Sequence, residues 1–259
     1  MSTKKVRDIR LIDALAAWDL VDLAYNHGLH HLVQKAMPDT MREIRTAHLM
    51  NQSPELFFQC PLSSVLAPRL AGPQMERDVT LLEWPLIKHS DKDVILSSID
   101  QIFDEADLNG SLREDVILVA DEFVCNALFN ATQVGGINNN NIQTAIKLAE
   151  RPMRQPATVR MGAHNGYLAL SCKDKYGTLD PKRFLSRLHS CLQKGASQSI
   201  NLDERGTAGI GGFMVFNACT SLYMAVEGGT ATQFCALFPL KSGAKERSQR
   251  PKNLHWISY

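Results

Sequence analysis

The chain has no CxxC pair, no cluster of cysteine with histidine and no internal repeat. Its cysteines, at 60, 125, 172, 191, 219 and 235, are scattered, most of them in apolar runs. Reduced cysteine in such runs behaves as a small core residue, which points to a reducing compartment. An excess of one charge is also missing: 28 Lys and Arg against 27 Asp and Glu leave a formal net charge of +1. No global field therefore singles out nucleic acid or an anionic membrane as a partner. The N-terminus starts basic but has no uninterrupted apolar stretch, because Asp13, Asp19 and Asp22 break it. That speaks against a signal peptide or a membrane span, so a cytoplasmic location is expected. What is present is ordinary for a soluble globular protein: 44% hydrophobic and 21% charged residues over 259 positions. This length suits one large domain, or a main domain with a smaller one beside it.

Apolar positions 11, 15, 18, 21 and 25 recur at steps of three and four and predict a helix over 9–36, closed by Pro38. A second helix is expected over 39–51. Prolines at 54, 61, 68 and 73 favour turns and a linker. Residues 1–75 thus read as a helical region with a linker, 76–240 as the main domain and 241–259 as a polar, basic, mobile tail. Within the main domain, 79–87 suits a strand, and a helix follows from Ser90 to about 107. Asn109-Gly110 ends it, and Ser111 with Glu114 forms a capping box for a helix running to about 131. Two apolar-rich runs joined by Asn165-Gly166 form a hairpin, as do the runs flanking Gly228-Gly229. Helices are expected over 181–194 and 211–219. The order of elements argues for an α+β sandwich, an antiparallel-dominated sheet with helices on one face.

Three segments carry the chemistry. On the helix after Ser111, Ile117, Ala120, Val124, Leu128 and Ala131 form an apolar stripe, and Glu122, Asn126 and Asn130 form a separate polar one. In a generic helix such a stripe is a solvent face. Asp174 closes a strand and precedes Gly177, a position where Asp is usually a turn former. Gly206, Gly209 and Gly211, followed by Gly212 and an apolar helix, could offer backbone N–H groups and a helix N-terminus to phosphates. Thr232 lies on one of the last strands, where β-propensity alone explains it equally well. The run containing His27, His30 and His31 invites metal or phosphohistidine readings. No carboxylate or cysteine completes a metal set, and Leu32 stands where an acid would follow a phosphoacceptor, so structural or surface histidines are the better reading.

Taken together and in this order, these segments resemble the ATP-binding domain of the GHKL superfamily, which includes gyrases and histidine kinases. The compact anti-sigma-factor Ser/Thr kinases are the nearest type. The resemblance covers about 79–240 and implies the two-layer α/β sandwich of the Bergerat type, with ATP and Mg²⁺ as cofactors. It implies that Asn126 coordinates Mg²⁺ and that Glu122 orients or deprotonates the attacking group. Asp174 would accept from the adenine amino group, and Gly206, Gly209 and Gly211 would cradle phosphates beneath a lid at 194–205. Thr232 would support the phosphate side. The first glycine box departs from the family's Asp-x-Gly-x-Gly: here it reads Asp174-Lys-Tyr-Gly177-Thr, without the second glycine. The function implied is phosphorylation or sequestration of a protein partner such as a sigma factor or its antagonist, in a chain that forms a homodimer. A non-catalytic nucleotide-binding module and the ATP-binding part of a histidine kinase are the rival readings.

Overall fold

The computed structural model describes residues 7–13, 15–35, 39–106, 108, 110–134, 152–194 and 210–259. The expected α+β sandwich forms around a single eight-stranded sheet, ordered β1-β2-β8-β6-β7-β5-β4-β3. The strands are β1 (Ile9–Ile12), β2 (His31–Gln34), β3 (Thr80–Leu86), β4 (Ala157–His164), β5 (Tyr167–Asp174), β6 (Ser221–Glu227), β7 (Ala231–Pro239) and β8 (Asn253–Ser258). All pairings are antiparallel except β1 with β2 and β6 with β8. Both predicted hairpins are present. Asn165 and Gly166 take φ of 49° and 80° between β4 and β5, as a tight two-residue turn requires.

One face of the sheet is covered by α1 (Ala17–Asn26), α6 (Asp91–Glu105), α7 (Gly110–Val134), α8 (Pro181–Lys194) and α9 (Gly211–Ala218). Their core includes Leu20, Ile99, Val116, Phe123, Leu188 and Phe216, packed on Leu170, Met224, Phe234 and Trp256 of the sheet. Helices were expected on one face only. The structure instead has a second helical layer, formed by α2 (Thr40–Gln52), α3 (Pro54–Gln59), α4 (Pro61–Leu66) and α5 (Pro73–Val79). From it, Met50, Phe57, Leu62, Val65 and Val79 bury the other face with Tyr223, Ala225, Cys235, Leu237 and Ile257.

Three local expectations are corrected here. The helix predicted over 9–36 is β1, a ten-residue α1 and β2. Gly28, at φ 65° just past the end of α1, turns the chain out of the helix. The side of α1 that packs is Leu20, Val21 and Ala24, whereas Trp18 and Tyr25 are 37% and 38% exposed. The prolines read as linker punctuation at 54, 61 and 73 each open a helix. Proline suits that position because its missing N–H would be unpaired there anyway. Finally, the polar tail contains α10 (Ala244–Gln249) and β8, whose side chains are buried from Asn253 to Ile257.

Candidate functional site

Helix α7 lies across β5 and meets α9 along its flank. Phe123 fixes it in place: its ring stacks on Phe234 of β7 at 5.3 Å, and its carbonyl lies 3.7 Å from Cys172 Sγ. Phe184 of α8 approaches the same Phe234 ring at 5.7 Å. Such aromatic pairs add about 0.5–1.5 kcal/mol beyond their buried area. Glu122 and Asn126, one turn apart, are half-buried at the edge of this contact, not on a solvent face. Two residues beyond Cys172 on the same face of β5 comes Asp174, about 7 Å further along the strand.

Glu122 rests on the first residue of α9. A Cβ added at Gly211 would lie 1.9 Å from Glu122 Oε2 and 2.5 Å from Cδ, so only glycine admits the carboxylate at this distance. Burial pushes the Glu122 carboxyl up, and neighbouring Asp121 pushes it further, against a smaller opposing effect of Lys92. Lys92 reaches over from α6 to Asp121 Oδ1 at 2.5 Å and Cys125 Sγ at 3.2 Å. A carboxyl raised in this way is tuned in the direction a general base needs at neutral pH.

Asp174 is 4% exposed. Its Oδ1 accepts from the Tyr176 and Gly177 backbone N–H groups at 2.9 and 3.3 Å, an Asx turn of the kind foreseen for an Asp at a strand end. Gly177 takes φ 58°, and a Cβ there would fall 2.1 Å from Glu227 O. That glycine seats the turn on the β6–β7 hairpin, where its carbonyl accepts from Gly229 N–H at 3.2 Å. Directly across from Asp174 in the β5–β7 register stands Thr232. Its side chain is 1% exposed, and Oγ1 has no hydrogen-bond partner among the described residues. An unpaired buried hydroxyl costs about 1–3 kcal/mol. The register thus sets Thr232, expected on the phosphate side, beside Asp174.

The structure therefore brings Glu122 against Gly211, with Asn126 one turn along α7, and sets Asp174, Thr232 and the Gly177 turn together at the ends of β5 and β7. Gly206, Gly209 and 195–205 of the implied lid lie outside the described residues, and so do the side chain of Asn130 and the loop at 135–144. Sequence reasoning missed Lys92, Asp121 and the three phenylalanines; nothing in the sequence pairs 92 with 121 across α6 and α7. The histidine run is structural in part: His31 is buried in β2 and His30 stacks on Trp256 at 4.2 Å. Among the described residues no group of His, Cys, Asp and Glu is spaced to hold a metal by itself. No described helix is long and apolar enough to cross a membrane.

No family model matches the chain, and a search of curated proteins finds no match. Among solved structures, a chain of the crystal structure of the SiaB–SiaC complex from Pseudomonas aeruginosa aligns at a TM-score of 0.44 and 14% identity. The alignment covers 64% of this chain and 93% of that one.

Proposed function

We propose that this protein is an ATP-binding regulator of the GHKL kind, resembling anti-sigma-factor Ser/Thr kinases, that phosphorylates or sequesters a protein partner. The observation that carries the reading is the pairing of Thr232, buried with an unpartnered hydroxyl, with the buried carboxylate of Asp174 on the face of the sheet that α7 covers. An acceptor carboxylate beside a hydroxyl able to donate or accept suits the amino edge of adenine. The half-buried Asn126 amide supplies an oxygen of the type Mg²⁺ prefers, and it stands one turn from Glu122. Asn126 would hold the ion, and its bound charge would help neutralise the phosphates. Glu122 would then orient and deprotonate the attacking group, and the N-terminal end of α9 would face the phosphates.

The test is Asp174→Asn, which keeps size and the turn geometry but removes the charge. A charge-assisted hydrogen bond contributes about 1.5–3 kcal/mol, so ATP affinity should fall on the order of 10- to 100-fold. Unchanged ATP affinity in the variant would overturn the assignment.

A further inference from the structure

Helices α1 and α8 pack against each other, and they are opposite in charge. Toward the core, α1 buries Leu20, Val21 and Ala24, and α8 buries Leu185, Leu188 and Cys191. Of charged residues, α1 carries Asp19 and Asp22 and no lysine or arginine. Helix α8 carries Lys182, Arg183, Arg187 and Lys194 and no acid, and Lys182 and Lys194 are exposed. An acidic ridge therefore runs beside a basic one.

The seam between the ridges is aromatic. Trp18, Asp22 and Tyr25 follow at steps of four and three, which sets them on one side of α1. The rings of Trp18 and Tyr25 each lie 5.5 Å from the ring of His189 on α8, and His189 Nε2 lies 3.1 Å from Asp22 Oδ1. The seam is thus anchored from below, yet Trp18 and Tyr25 keep 37% and 38% of their surface in solvent. Tryptophan and tyrosine are the side chains that most often carry the energy at the centre of an interface.

We propose that this face is where two copies of the chain dock, α1 of each lying over α8 of the other with Trp18 and Tyr25 of both at the centre. The charges select both the occupant and its orientation. Identical chains in a closed pair are related by a two-fold axis, so every contact is made twice. With the axis running along the seam, each acidic helix meets the second copy's basic helix. With the axis running across the seam, acid would meet acid and base would meet base. A face that bears both signs side by side is its own complement in the first orientation alone. The charged ridges then form the rim, where they steer the encounter and fix its register, and the aromatic rings supply the desolvated centre. This pairing uses neither Glu122 nor Asp174, so it stands apart from the nucleotide reading.

Sedimentation of the full chain over a range of concentrations tests it. The wild type should be a dimer at about 0.1 M salt and dissociate more readily at about 1 M, where the reach of a charge falls from about 10 Å to about 3 Å. Trp18→Ala should weaken the pair by about 30-fold or more. Asp19→Lys cancels the charge of α1, and Lys182→Glu combined with Lys194→Glu cancels that of α8. Each charge variant alone should sediment mainly as monomer. An equimolar mixture of the two should recover association, because the untouched α1 of one meets the untouched α8 of the other. Side chains with a merely structural role would give no such recovery, and the charge variants decide the matter should Trp18→Ala fail to fold. A monomeric wild type, which would leave this face to a different protein, would overturn the proposal. So would a dimer indifferent to all these variants, or a mixture no more associated than its components.

Discussion

Gly211→Ala separates the chemistry of the candidate site from its stability. The new methyl would sit 1.9 Å from Glu122 Oε2, about 1.5 Å inside ordinary van der Waals contact. The atoms in its way are the far end of a flexible side chain, so the strain is relieved by swinging the carboxylate aside, not by moving backbone. Alanine is also the better helix former, by about 1 kcal/mol in a helix interior and by less at a first residue such as this one. The two effects leave the fold near its original stability. A change of 1 kcal/mol moves the melting temperature of a chain this size by about 2–4 °C, so the variant should melt within that margin of the wild type. Turnover should nevertheless collapse, because a displaced Glu122 forfeits general-base assistance worth about 10²- to 10⁴-fold. The assay is thermal melting beside phosphate release or partner phosphorylation, with Glu122→Gln and the double variant in parallel. Because both changes act through one carboxylate, the double variant should be no worse than either single one. A melting temperature lowered by well over 4 °C, or turnover that survives Gly211→Ala while Glu122→Gln abolishes it, would refute the reasoning.

Other outcomes follow from the same geometry. Thr232→Val replaces a buried, unpartnered hydroxyl by a methyl of similar shape. It should stabilise the ligand-free protein by about 1 kcal/mol while weakening ATP, and a destabilised variant with intact ATP affinity would count against the adenine assignment. Asn126→Ala should abolish the Mg²⁺ dependence of ATP binding in calorimetry, and retained dependence would place the ion elsewhere. Because Glu122 is held above its usual range, its ionisation costs the folded state stability as pH rises past about 4.5. Glu122→Gln should therefore melt higher than wild type at pH 7 and lose that advantage below pH 4, and a gain that persists in acid would point to another cause. Deleting residues 1–75 removes β1, β2 and most of the layer over Tyr223, Cys235 and Ile257, so the remainder should be insoluble. A folded, monodisperse 76–259 fragment would contradict that.

Much of the central sheet and the α7 layer could be read from the sequence because their signals are local. Asn165-Gly166 needs positive φ at both residues, and α7 carries its apolar and polar stripes within one helix. Strands β1, β2 and β8 gave no such signal. β1 and β2 are four residues each, and the periodicity of α1 ran across them. β8 follows a run of basic and polar residues and is a strand only because β2 and β6 flank it. Of the site, residue types and order were legible: the Glu122–Asn126 spacing, an Asp at a strand end and a glycine opening a helix. Relations between distant positions were not. The contact of Glu122 with Gly211 and the facing of Asp174 and Thr232 depend on how α9 and β7 dock, which no local pattern encodes.

The central claim is that an adenine nucleotide binds where Asp174 faces Thr232, with its phosphates running toward Asn126 and Gly211. Isothermal titration of the full chain with ATP, ADP and GTP, each with and without Mg²⁺, tests it most directly. The account predicts that ATP and ADP bind and that Mg²⁺ strengthens ATP. GTP should bind at least about 10-fold more weakly, because its keto oxygen would face the carboxylate. No binding of either adenine nucleotide, or equal affinity for ATP and GTP, would contradict it.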